Sequence, residues 1–337
     1  MKYNFLGNTG LKVSELCLGT MTFGGKGIWT AIGTLPQDEV DALVKKSVEA
    51  GINFIDTANV YSEGLSEEMT GTAIRNLGLN RDDLIIATKV RGKMGEGPNQ
   101  IGLTRKHILQ QVDESLKRLQ LDYIDLYQIH GYDPLTPFEE TLAALDILVQ
   151  SGKVRYIGCS NLAAWQIMKA LGISELKGYS KFVSLQAYYT IAGRDLEREI
   201  VPLLNDQKLG LMVWSPLAGG LLSGKYGHNE TPENARRASF DFPPVNKDKA
   251  YDIIDVMKEV AGTKNVSVAQ IALAWLLHQK AVTTVIIGAK NPGQLEDNLK
   301  AVEVKLNEDD LAKLSDISKL APEYPAWMLE RQGTDRK

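Results

Sequence analysis

The sequence predicts a (β/α)8 TIM barrel with an N-terminal β-hairpin plug and two extra helices. Eight short apolar runs alternate with amphipathic stretches from one end of the 337-residue chain to the other. Residues that carry chemistry stand where those runs end: Asp56 after Ile52–Ile55, Lys89 after Leu84–Thr88 and His130 after Ile124–Ile129. In a parallel barrel all such ends open onto one face, so residues far apart in sequence meet in one pocket. No linker, low-complexity tract or internal repeat divides the chain, and residues 1–337 read as a single domain.

The elements follow in order. Residues 2–5 and 11–13 flank Leu6-Gly7-Asn8-Thr9-Gly10 and read as a hairpin suited to plugging the N-terminal end of the barrel. Strands are expected at 15–19, 52–56, 84–89, 124–129, 154–159, 182–186, 211–214 and 284–287. Pro36 with Asp38 and Glu39 marks a helix start, and Gly51 its stop. Thr104 caps a helix reaching Leu119, in which Ile108, Val112, Ser115, Leu116 and Leu119 share one face. The helices beyond the eight are expected at 247–261 and 308–317. Two stretches read as irregular, a glycine- and proline-rich loop at 217–245 and a tail at 321–337; loops of such length commonly line or cover binding sites.

Composition narrows the function. The chain is 44% hydrophobic and 24% charged with a net charge of −4, which offers nothing to nucleic acid or to an anionic membrane. Its two cysteines, Cys17 and Cys159, lie in apolar runs, as expected for a reducing compartment and not for a disulfide framework or a structural zinc. With no apolar leader and no run of membrane-spanning length, the expectation is a cytoplasmic protein.

Asp56, Tyr61, Lys89 and His130 supply an acid, a phenol, an amine and an imidazole, the parts of a proton-transfer device. Each also has a purely structural reading. A tyrosine can pack with its hydroxyl bonded, a lysine can extend to water, and an aspartate before Thr57-Ala58 can cap a helix. No His-x3-His or cysteine pair offers a metal site. Gly219 to Lys225 has the spacing of a P-loop, but Tyr226 stands where a magnesium-binding Ser or Thr belongs.

Over essentially its whole length the chain resembles the aldo-keto reductase superfamily, its loops being closer to the bacterial and potassium-channel β-subunit-like branches. The resemblance rests on Leu6–Ser14 with Leu18-Gly19-Thr20, on Gly51–Ala58 followed by Tyr61, on Gln128-Ile129-His130, on Gly158–Asn161, and on Ile287–Asn298. It implies that Tyr61 is the proton donor, that Lys89 favours its phenolate, that Asp56 holds Lys89, and that His130 orients the carbonyl. It implies NADPH as cofactor, with NADH a weaker possibility. Ser160, Asn161 and Gln186 would hold the nicotinamide carboxamide and Trp214 would stack on the ring. Ser215, Pro216, Leu217, Gly219, Leu221 and Lys225 would line the pyrophosphate. Gly288, Lys290, Gln294, Asp297 and Asn298 would surround the adenosine, with Lys290 on the 2′-phosphate.

The chain departs from the family after His130, where many relatives carry a bulky residue and Gly131 stands here, followed by Tyr132. The expectation is a widened pocket that admits ketones or ring substrates. Trp29, Tyr188, Phe240, Trp327 and Met328 are the other candidate wall residues. The function expected is a carbonyl reductase, reversible as an alcohol dehydrogenase and acting on small molecules. The alternatives are a cofactor-sensing protein like the channel β-subunits, and a barrel hydrolase or isomerase acting on phosphorylated sugars.

Overall fold

The structure, a computed structural model, describes residues 1–228, 237 and 240–334. Parts of the 217–245 loop and the end of the tail therefore lie outside the described residues.

Tyr3–Phe5 (β1) and Lys12–Ser14 (β2) pair antiparallel as the expected hairpin. The barrel strands are Leu16–Gly19 (β3), Phe54–Asp56 (β4), Ile85–Val90 (β5), Ile124–Ile129 (β6), Val154–Ser160 (β7), Phe182–Tyr188 (β8), Gly210–Trp214 (β9) and Val282–Ile287 (β10). They pair in parallel, in sequence order, and β10 closes the ring onto β3. Between and after them run helices Gln37–Glu49 (α1), Leu65–Asn76 (α2), Arg105–Leu119 (α3), Phe138–Gln150 (α4), Ala164–Lys177 (α5), Ile200–Gln207 (α6), Lys247–Lys264 (α7), Val268–Leu277 (α8), Pro292–Leu299 (α9), Glu308–Ser318 (α10) and Ala326–Thr334 (α11). The two extra helices expected are α7 and α10, which pack on each other, and α11 is a third among the described residues.

Alternation along the strands sorts their side chains. On β5, Ile86 and Val90 face the helices, while Ile85 and Ala87 join Cys17, Phe54, Leu126, Met212 and Ile286 inside the barrel. Leu6 and Val13 of the hairpin close that inner cluster from below. Gly7 allows the approach: it has φ +60, and a Cβ there would lie 2.3 Å from the Val183 carbonyl oxygen. The cap expected at Thr104 is made, its hydroxyl accepting from the His107 amide.

The tail differs from expectation. Residues read as irregular because of Pro322 and Pro325 form α11, which starts directly after Pro325, where the fixed φ and missing N–H of proline suit a helix start. The 217–245 loop likewise opens with a 3-10 segment, Ala218–Ser223.

Candidate active site

Asp56 ends β4 and Lys89 lies one residue from the end of β5, both facing the barrel axis. Lys89 is fully buried; its Nζ donates to Asp56 Oδ2 over 2.6 Å, to the Thr57 carbonyl over 2.8 Å and to the Tyr61 hydroxyl over 3.3 Å. Tyr61 comes from the turn after β4, where Ser62, Glu63 and Gly64 all have positive φ. Two non-glycine residues in that region cost about 1–3 kcal/mol each. The Ser62 hydroxyl, bonded to the Phe23 carbonyl, helps hold the turn that aims the phenol at Lys89.

Burial alone would lower the Lys89 pKa, but the Asp56 carboxylate and the Tyr61 hydroxyl outweigh it and the ammonium is held above its ordinary value. For Tyr61, burial raises the phenol pKa and the charge of Asp56 adds to this; Lys89 pulls the other way without overcoming them. The phenol therefore stays protonated at neutral pH. His130, just past β6, meets Tyr61 edge-on with ring centres 5.7 Å apart. Burial, then the charges of Lys89 and Arg91, depress its pKa to about 3, so the imidazole is neutral.

Two glutamines complete the arrangement. Asp56 Oδ1 accepts from Gln128 Nε2 over 3.0 Å and from Gln186 Nε2 over 2.9 Å. The sequence marks Gln128 only as part of the Gln128-Ile129-His130 motif. Its register opposite Lys89, on the inward face of β6 two residues before His130, is the signal that marks it.

The expected nicotinamide residues cluster at the same mouth. The Ser160 hydroxyl and the Asn161 amide both donate to the Gln186 carbonyl. Asn161, at φ +56, donates from Nδ2 to the His130 carbonyl and accepts at Oδ1 from Trp214 Nε1 over 3.0 Å. It is not a helix cap, since α5 starts after Ala163. Gln186 spends its amide nitrogen on Asp56 and Gln128, while its Oε1 accepts from no described residue and remains available to a carboxamide.

Ser215, Ala218, Gly219 and Gly220 all have positive φ, a concave backbone run of the kind that holds phosphate groups. A Cβ at Gly220 or Gly288 would meet nothing within 4 Å, so both leave an open cradle. These features fit a dinucleotide. Some expected contacts differ. The amides of Ala218 and Gly219 bond to Ser215 within the turn, and the Leu221 side chain is buried in the core, so only its backbone can contribute. Pro216 is buried, Leu217 is half-buried against the core, and Lys225 is exposed. Around α9, the Lys290 amide donates to Gln294 Oε1, and Asn298 Nδ2 donates to the Gly288 carbonyl. The Asp297 carboxylate accepts from Ser267 and Gln270 and ties α9 to the start of α8.

Of the wall residues, Trp29 stands edge-on to Tyr61 with ring centres 5.2 Å apart. Tyr188 packs on Trp214, whose ring stacks within 8° of Phe242; Phe242 in turn meets Phe240. Phe242 was missed, standing beside two prolines in a stretch read as loop. The Tyr132 ring packs against Phe138 and Trp165. Trp327 is exposed and pairs with Tyr324; it and the half-buried Met328 belong to α11. Gly131 lacks a side chain, but the space beside it is not empty, since Arg91 Cδ lies 3.6 Å from where a Cβ would be.

Comparison with known proteins gives one consistent answer. The model of the aldo/keto reductase family matches residues 15–319. An uncharacterized oxidoreductase of Bacillus subtilis, YrpG, is 39% identical, over 97% of this chain and 100% of that protein. A putative aryl-alcohol dehydrogenase of Schizosaccharomyces pombe, C977.14c, is 38% identical over 93% and 95%. A probable voltage-gated potassium channel subunit beta of Arabidopsis thaliana is 37% identical over 96% and 99%.

Proposed function

The chain belongs to the aldo/keto reductase family, and on that premise we propose that it reduces aldehydes or ketones to alcohols with NADPH, Tyr61 donating the proton. Membership makes it an NAD(P)H-dependent oxidoreductase acting on small carbonyl or alcohol compounds. The observation that carries the finer reading is the 3.3 Å contact between Lys89 Nζ and the Tyr61 hydroxyl, beside a neutral imidazole at the barrel mouth.

A reduced nicotinamide supplies the hydride when bound. The neutral His130 ring donates a hydrogen bond to the substrate carbonyl and orients it. The Tyr61 hydroxyl gives its proton to the oxygen as negative charge develops there. Lys89 then stabilises the phenolate left behind, and Asp56, gripped by Gln128 and Gln186, keeps Lys89 charged and in place. General-acid assistance of this kind is worth roughly 10²–10⁴-fold. The same phenolate accepts a proton when an alcohol is oxidised, which makes the reaction reversible.

Lys290 beside the start of α9 supports NADPH over NADH, because a cation there forms charge-assisted bonds to a 2′-phosphate. Gly131 does not by itself argue for bulky ketones, because the Arg91 side chain takes the space beside it, so the substrate panel decides that point. The test is initial-rate oxidation of NADPH and of NADH with aldehydes and with small to bulky ketones. Turnover with NADPH ahead of NADH is expected. Tight NADPH binding without turnover would instead favour a cofactor-sensing protein, and no nicotinamide binding would favour the hydrolase or isomerase reading.

A further inference from the structure

We propose that Arg91 is a specificity-determining residue that selects carbonyl substrates bearing a carboxylate, which it receives at the rim of the pocket beside His130. The inference rests on the carbonyl-reductase reading and deepens it.

Position comes first. Lys89 pairs with Gln128 and Val90 with Ile129 at the end of the β5–β6 ladder, and the His130 amide donates to the Val90 carbonyl. Arg91 and His130 are the next residues of the two chains, one step beyond the last pair. His130 keeps the inward side that carries Gln128, and Arg91, past the strand end, lies close enough for its charge to help lower the imidazole's pKa. Arg91 thus stands on the mouth of the barrel next to the imidazole that orients the carbonyl.

Its conformation is held, and at a cost. Arg91 has φ +151, a value that side-chain-bearing residues rarely adopt and that costs about 1–3 kcal/mol. The Gly102 amide fixes its carbonyl at 2.9 Å, and its own Nε donates to the Tyr132 carbonyl at 2.8 Å. The methylenes cross the face of Gly131, which has no side chain to obstruct them. A strained backbone that fixes one side chain at a pocket rim is more than a solvated surface arginine requires.

The guanidinium is also only partly engaged. Nη1 and Nη2 have no acceptor among the described residues, and Arg91 forms no ion pair with a described carboxylate. Asp133, the nearby acid, spends its hydrogen bonds on the Leu103 and Leu135 amides and the Thr136 hydroxyl, and Arg91 acts on it through charge alone, helping to hold its carboxyl below the usual range. Within the pocket Lys89 is neutralised by Asp56, and His130 carries no charge. The free Nη edge of the guanidinium is a planar fork that matches a carboxylate. Trp29, against Tyr61, offers an aromatic wall to the same space. A planar aldehyde or ketone with a carboxylate a few ångströms from the carbonyl fits both.

The test compares 4-carboxybenzaldehyde with its methyl ester, methyl 4-formylbenzoate, in NADPH-dependent reduction by the wild type, Arg91→Met and Arg91→Lys. The wild type should prefer the carboxylate by roughly tenfold or more in kcat/KM at low salt, and less as salt rises. In Arg91→Met the loss for the acid should exceed the loss for the ester by about the same factor, mostly through KM, with partial recovery in Arg91→Lys. Equal losses for both substrates, or no preference in the wild type, overturn the inference and leave the reductase reading standing. If neither aldehyde nor any neutral ketone is reduced, the reductase reading falls and this inference falls with it. Should Arg91→Met not fold, inhibition of the wild type decides: 4-methylbenzoate must inhibit better than 4-methylbenzamide, and equal inhibition refutes the assignment.

Discussion

Gln128 donates to Asp56 over 3.0 Å, so the carboxylate that pairs with Lys89 is also tied to the strand that ends in His130. Four strands converge on one buried anion: β4 supplies it, β5 the ammonium, β6 and β8 an amide each. The acid–base pair and the imidazole are thereby held in one frame.

Gln128→Met removes a hydrogen bond to a buried carboxylate at nearly constant volume. A loss of about 1.5–3 kcal/mol in urea unfolding is expected, together with a fall in kcat as Asp56 loosens. A variant as stable and as active as the wild type would mean that Gln186 alone suffices.

Lys89→Met leaves Asp56 buried without its counter-charge. It should cost about 3–5 kcal/mol as well as turnover, and adding Asp56→Asn should restore part of the stability but none of the activity. A double-mutant cycle in chemical denaturation measures this. Strict additivity would show that the two groups are not coupled as a pair.

Glu67 is fully buried on α2, with one oxygen accepting from the Thr88 hydroxyl and the other from Arg118 Nε over 2.7 Å. Truncation by Arg118→Ala should destabilise the barrel by roughly 3–5 kcal/mol, since the carboxylate would stay in place unpaired. Thermal unfolding of this variant beside an exposed control such as Lys117→Ala, which lies on the same helix, separates the buried pair from a surface effect.

His130 has a folded pKa of about 3 against an ordinary value of 6.5. The unfolded chain binds a proton at this residue as pH falls below about 6.5 while the folded chain refuses it until near 3, so this contribution to stability is present above 6.5 and is lost progressively on acidification. His130→Asn should flatten the decline in Tm between about pH 7 and pH 5 relative to the wild type. Parallel Tm curves for the two proteins would contradict the depressed value.

The fold was largely legible because barrel strands announce themselves as short apolar runs, and each chemistry-bearing residue stands where such a run stops. The tetrad followed from those stops together with a family resemblance. The second tier did not. Gln128 and Gln186 reach Asp56 across 72 and 130 residues of sequence, and only the closed register of the sheet brings them together. Nothing in the sequence marks Arg91, because its place depends on a backbone angle and on the absence of a side chain at Gly131. The bonds of Asp297 to Ser267 and Gln270 were not legible, because those partners sit at a neighbouring helix start that local sequence does not connect to it. The tail helix was hidden by Pro325, which marks a break when read as a helix breaker and a start when read at its first turn.

The central claim is that Tyr61 delivers the proton from a site prepared by Lys89. Tyr61→Phe removes one oxygen from the structure, and the most direct measurement is its kcat for aldehyde reduction beside its Kd for NADPH. A fall of roughly 10²–10⁴-fold in kcat with NADPH affinity unchanged is the expected result. Turnover within about threefold of the wild type would contradict the account, because it would place the proton source elsewhere.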